Sequence, residues 1–201
     1  MGEVTDSRER IMASAIRCVE SAGVKAVSLE DVAAEAGLSR TTIYRHFPGG
    51  RNQLMQETAT WEVARFWRRL AEAVSDLPTM EDRLEAGLVI GAKLIRKSRI
   101  MANLMDPDLD ELVSALRPSE SLVHQVIRDY MRDLLETEDG RGRLRPGVDL
   151  DEAADYVTRM ILSALGSPAG WDLTDAEQTR RFVRTQILPG VVVLDPPTPG
   201  P

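Results

Sequence analysis

"AGLSRTTIYRHFPGG", residues Ala36–Gly50, decides how this chain folds. Ser39 is a good helix N-cap and Pro48 a helix stop, so the spacing predicts a short helix over 39–47. Ile43 and Phe47, four apart, share one face of it and can anchor it to a neighbour. The outward set is then Arg40, Thr41, Thr42, Tyr44, Arg45 and His46. No Asp or Glu stands between Glu35 and Glu57. A chain with a formal net charge of -7 thus gathers cations, hydroxyls and an aromatic ring in one acid-free stretch.

Upstream, "SLED" from Ser28 reads as a capping-box variant with Asp31 in the acidic position. It opens a helix with Leu29, Val32, Ala33 and Ala36 inward, stopping at Gly37. Gly37 allows positive φ between the two helices, and Leu38 can fill the crevice between them. Helix, tight glycine turn and helix give the spacing of a helix-turn-helix. A preceding helix is expected from Ser7 to Ala22, with Ile11, Ala15, Cys18 and Val19 on one face and Gly23 at its end.

Such an outward set suits a polynucleotide. Thr and Tyr hydroxyls donate to phosphate, a Thr methyl can touch thymine, and Arg pairs with guanine or phosphate. A helix N-terminus adds backbone N–H donors and the positive end of a dipole. The acidity of the whole chain argues against a general polyanion binder. It permits a local patch, because salt screens charge beyond about 8–10 Å.

Downstream, apolar residues recur at three and four, which reads as helix throughout. Helices are expected over 51–75, 80–97, 120–136, 150–167 and 175–188, with shorter pieces over 99–116. The class is all-α: a three-helix reader over 1–50, a helical bundle over 51–190 and a tail over 191–201. The tail ends in "DPPTPGP", too proline-rich for helix and expected to be disordered. No apolar run approaches the ~20 residues that span a bilayer. "MGEVTDSRER" lacks the apolar centre of a signal peptide, so a cytoplasmic protein without a membrane partner is expected. A single cysteine, Cys18, forms no internal disulfide.

Enzyme readings find little to rest on. The chain has two histidines, His46 and His124, and neither HExxH nor CxxC. It carries no nucleophile elbow, P-loop or dinucleotide fingerprint. No cofactor and no metal are expected. The competing class is a protein-binding adaptor that keeps a helix-turn-helix shape.

"VSLEDVAAEAGLSRTTIYRHFPGGRNQL" resembles the DNA-binding signature of the TetR-type bacterial transcriptional regulators. The specific part is "AGLSRTTIYRHF", and the likeness covers roughly residues 5–60. It implies an all-α homodimer that binds a palindromic operator in double-stranded DNA, usually as a repressor released by a small molecule. It places Ser39, Arg40, Thr41 and Thr42 toward the major groove, Tyr44 and His46 on phosphate, and Ser28 as a further phosphate contact. Two departures stand out. Thr41 replaces the usual small residue, so base preference does not carry over. "GGRNQL" replaces Ser-Lys and an acid after "FP" with one extra residue, leaving Arg51 as the candidate substitute for the phosphate-binding lysine.

The later helices offer two further expectations. Val157, Met160, Ile161 and Ala164, with Phe182, Val183 and Ile187, suit either an internal core or a dimer interface. Trp61, Phe66, Trp67, Met101, Met105, Val126, Ile127 and Tyr130 could line an apolar pocket, since Met beside aromatics adapts to varied shapes. The resemblance favours a small apolar effector in such a cavity.

Overall fold

A computed structural model describes residues 2–97 and 120–194. Among them the chain forms α-helices and one isolated antiparallel bridge, between Leu144 and Val192. The helices are α1 (Gly2–Ala22), α2 (Leu29–Ala36), α3 (Arg40–His46), α4 (Gly50–Val74), α5 (Met80–Lys97), α6 (Glu120–Gly140), α7 (Leu150–Gly166) and α8 (Ala176–Phe182). The all-α expectation holds. The pieces expected over 99–116, and Met101 and Met105 with them, lie outside the described residues, as does the end of the tail from 195.

Two compact units divide the chain. The first comprises residues 1–66 and 94–120, the second 67–93 and 121–201. Helix α4 supplies residues to both.

In the first unit the apolar stripe of α1 (Ile11, Met12, Ala15, Val19) meets Val27, Leu29, Val32 and Ala33 around α2. Ile43 and Phe47 from α3, each fully buried, and Leu54 and Met55 from α4 complete this core. Phe47 is therefore both the C-cap of α3 and its deepest anchor. Removing a ring so buried costs about 3–5 kcal/mol.

The second unit buries Leu70 and Val74, then Met80, Leu84 and Leu88 of α5. From α6 it buries Ile127, Met131, Leu134 and Leu135, and from α7 Ala154, Val157 and Ile161. Asp149 caps α7 by accepting from the Asp151 and Glu152 N–H groups at 2.9 and 3.0 Å. Glu138 is buried, yet its carboxylate is held by Arg143 at 2.5 and 2.9 Å and by Arg141 at 3.3 Å. A buried charge persists only when compensated in this way.

The helix expected over 175–188 changes character partway. It is α-helical to Phe182 and then closes one π turn, Val183–Ile187, with the Leu188 N–H donating five residues back to Val183 O at 3.0 Å. Arg180 and Arg184 tie this segment to α5 through Glu85 and Glu81 at 2.7 Å each. Beyond it, Val191 and Val192, which the sequence reading assigned to the tail, are buried. Arg145 N donates to Val191 O at 3.0 Å and Val193 N to Arg143 O at 2.7 Å. Two consecutive valines supply apolar area that outweighs the breaking effect of the prolines after them.

Candidate nucleic-acid interface

The helix-turn-helix is fastened at each corner by a local device. Ser28 Oγ accepts from the Asp31 N–H at 3.1 Å, and the Ser28 N–H donates to Asp31 Oδ2 at 2.8 Å, a complete capping box for α2. The same bonds, the side-chain one foremost, hold the Asp31 carboxyl below its usual range. Gly37 takes φ 63°, the left-handed C-cap expected of it, and Leu38 N donates back to Ala33 O at 3.0 Å. Ser39 caps α3 by accepting from the Thr42 N–H at 3.1 Å. Its hydroxyl also meets Thr42 Oγ1 at 2.9 Å.

The C-terminal end of α3 is tied differently. Arg8 of α1 donates to His46 O at 2.8 Å, pairs with Glu57 of α4, and lays its guanidinium 4.6 Å from the Phe47 ring centroid. Glu57 Oε1 accepts from Gln53 Nε2 at 2.8 Å, and Gln53 Oε1 accepts from the Gly49 N–H at 2.6 Å. One network therefore fixes α1, the end of α3 and the start of α4. The turn itself needs Gly50, whose φ is 69° and whose missing Cβ would stand 3.7 Å from Tyr44 Cε1.

This frame sorts the candidate residues. Thr41, Tyr44 and Arg45 are exposed on α3, with Tyr44 40% exposed. Arg40 is exposed too, but its guanidinium lies 5.5 Å from the Tyr44 ring centroid and pairs with Glu30 of α2. Ser39 is exposed and Ser28 half-buried, both spending their hydroxyls on caps.

Two placements correct the sequence reading. His46 points inward, 9% exposed, because Cβ direction at the last turn carries it under the Arg8 tie rather than onto the outer face. Its imidazole pKa is lowered from 6.5, by burial first and then by the charges of Arg45 and Arg8. Arg51 is not displayed to solvent. It donates from Nε to Val27 O at 2.7 Å and from Nη2 to Val24 O at 2.5 Å, satisfying carbonyls of the turn between α1 and α2. Sequence reasoning also missed Glu30, ten positions before Arg40, since a linear scan for acids does not see across the turn.

The other candidate sets separate as well. Trp61 and Phe66 belong to the first unit, Trp67, Ile127 and Tyr130 to the second. Phe66, Trp67 and Ile127 are buried, whereas Val126 is 48% exposed and so does not line an interior cavity. Trp61 carries the Arg65 guanidinium 4.8 Å from its centroid. The Tyr130 hydroxyl is buried with no hydrogen-bond partner among the described residues. Of the residues offered for a dimer interface, Val157, Ile161, Ala164, Phe182, Val183 and Ile187 are all buried within their own chain. Met160 alone of that set is half-exposed. The small-residue stripe of α7 serves internal packing, so those buried side chains are unavailable to a second copy.

Residues 11–58 match the model of the family described as "Bacterial regulatory proteins, tetR family". The uncharacterised HTH-type transcriptional regulator Rv2250c of Mycobacterium tuberculosis is 26% identical over 174 residues, 85% of each chain. The HTH-type transcriptional regulator LmrA of Bacillus subtilis is 38% identical over 52 residues, 26% of this chain and 28% of that protein. Among solved structures, a TetR-family transcriptional regulator from Pectobacterium atrosepticum superposes with a TM-score of 0.72 at 18% identity. That match covers 96% of this chain and 98% of the other. The SmeT–triclosan complex gives 0.60 at 22% identity over 98% and 99%. These structures share the fold.

Proposed function

The chain belongs to the TetR family of bacterial transcriptional regulators, a DNA-binding family, and from this we propose that it acts as a repressor. In this reading a homodimer grips an inverted-repeat operator in double-stranded DNA and lets go when a small apolar molecule binds. The observation that carries the reading is the exposed face of α3: Thr41, Tyr44 and Arg45 stand outward on a helix capped by Ser39 and anchored by Ile43 and Phe47.

The roles divide by chemistry. Arg45 and the Tyr44 hydroxyl meet phosphate and set affinity, while Thr41 and Arg40 reach base edges and set preference. Ser28, Ser39 and Thr42 hold the backbone that presents them. His46 and Arg51 brace the reader from within, and we assign neither to DNA. The dimer forms on the outward side of α7, around Tyr156, Met160 and Ser163, which a second copy can reach. Two readers so joined would sit about one DNA turn apart, ~34 Å.

The effector binds in the second unit, where the Tyr130 hydroxyl offers it a hydrogen bond. That SmeT is known as a complex with triclosan supports an apolar molecule of this size. No described helix is long and apolar enough to cross a membrane, which fits a regulator working on DNA in the cytoplasm. The relatives are regulators rather than enzymes, and we assign no catalytic role to any residue.

Selection of bound duplexes from a random library tests the reading. The expected winners share an inverted repeat with half-sites about 10 base pairs apart, centre to centre. Enrichment of no sequence, or of single half-sites only, would overturn it.

A further inference from the structure

The surface that faces DNA in this reading is not purely cationic. Glu30, in the first turn of α2, is exposed and forms an ion pair with Arg40, the first residue of α3. The same guanidinium lies along the Tyr44 ring, 5.5 Å from its centroid, and its Nη2 reaches Tyr44 Oη at 3.4 Å. Glu30, Arg40 and Tyr44 therefore form one file across the mouth of the helix-turn-helix. The neighbouring acids have other duties. Asp31 completes the α2 capping box, and Glu35 pairs with Arg17 of α1 at 2.6 Å. Among the described residues, Glu30 is the acid paired to α3.

A carboxylate here works against phosphate. It repels the DNA backbone and competes for the cation that the backbone would otherwise take. An ion pair this exposed adds little to stability, so folding gives no strong reason for it. A base pair is a different target. The major-groove edge of G·C presents two acceptors, guanine O6 and N7, beside one donor, the cytosine N4 amine. A guanidinium beside a carboxylate is the complement of that pattern, with donors from Arg40 and an acceptor from Glu30. Phosphate satisfies only the first of the two.

We propose that Glu30 is a specificity-determining residue. With Arg40 held on Tyr44, it reads a G·C pair in each half-site and penalises binding to phosphate alone. The inference rests on the DNA-binding reading above and goes beyond it by naming a base pair and the acid that selects it. Thr41 and Arg45 are left to the neighbouring base and to phosphate.

The test compares wild type and Glu30→Gln, in the full-length chain, on a duplex selected by the wild type and on a scrambled duplex of equal length. Glutamine keeps the shape, removes the charge and leaves the Ser28–Asp31 cap in place. The expected result is tighter binding to the scrambled duplex and a specificity ratio lower by roughly 10-fold, the size of one good base contact. Repeating the selection with the variant should lose a G·C preference at one position of each half-site. Glu35→Gln, which disturbs an acid of the same helix away from Arg40, should leave both affinities unchanged. Equal shifts on the two duplexes, or a G·C preference that survives intact, overturn the role of Glu30. Wild-type protein that binds neither duplex overturns the DNA-binding reading and this inference together.

Discussion

Arg45 and His46 are adjacent in sequence and opposite in circumstance. Arg45 is exposed on α3, free to meet a phosphate, while His46 is folded under the helix against Arg8. Burial and the two neighbouring cations hold the His46 pKa below its usual 6.5. In the unfolded chain the imidazole regains that value, so below pH 6.5 the unfolded state binds more protons. Stability from this group is therefore complete above pH 6.5 and is lost as pH falls toward the lowered folded pKa. The urea midpoint should fall with pH in that window, and His46→Gln should flatten the dependence. A midpoint equally pH-dependent in the variant would contradict this account. The outward set was legible in the sequence for Thr41, Tyr44 and Arg45, because helical periodicity is enough to place them. His46 and Arg51 were not. Their positions depend on Arg8, Val24 and Val27, partners 24–38 residues away that no local pattern encodes.

At the scale of elements, α3 is too short to stand by its own propensity, since helices under about 12 residues are marginal in water. Its seven residues depend on the Ser39 cap and the Ile43–Phe47 anchor. Ser39→Ala should cost about 1 kcal/mol of folding stability, read as a lower urea midpoint with an unchanged m-value. DNA affinity should fall with it, because the backbone that presents Thr41 frays. Full stability in the alanine variant would show that packing alone holds the helix. Caps and glycine turns were read directly from "SLED", Gly37 and Ser39, because their chemistry is local. The C-terminal helix was not. Its turn into a π turn at Val183 is set by packing of Val183, Ile187 and Leu188, all fully buried, and by the Arg180 and Arg184 ties to α5. The α7 stripe of Ala153, Ala154, Val157, Ile161 and Ala164 shows a related limit. Apolar residues at helical spacing mark a buried face, and the sequence leaves open whether that face belongs to one chain or two.

For the molecule as a whole, electrostatics sets the problem. A net charge of -7 repels a duplex at long range, and the reader must overcome it locally. Most cations of the first unit are committed within the protein: Arg8 to Glu57, Arg17 to Glu35, Arg40 to Glu30, Arg51 to carbonyls. Arg45 stands out as a charge of α3 displayed to solvent. The central claim is that this face lies against the DNA backbone and bases. Its most direct test is the salt dependence of binding to the selected duplex, for wild type and Arg45→Ala. Each phosphate contact releases condensed counterion with a slope of about -0.9 in log K against log salt. The variant should bind selected and scrambled duplexes more weakly by similar factors, with the slope of each dimer shallower by about 2, one contact per subunit. An unchanged affinity and slope would place the DNA elsewhere on the protein and contradict the account.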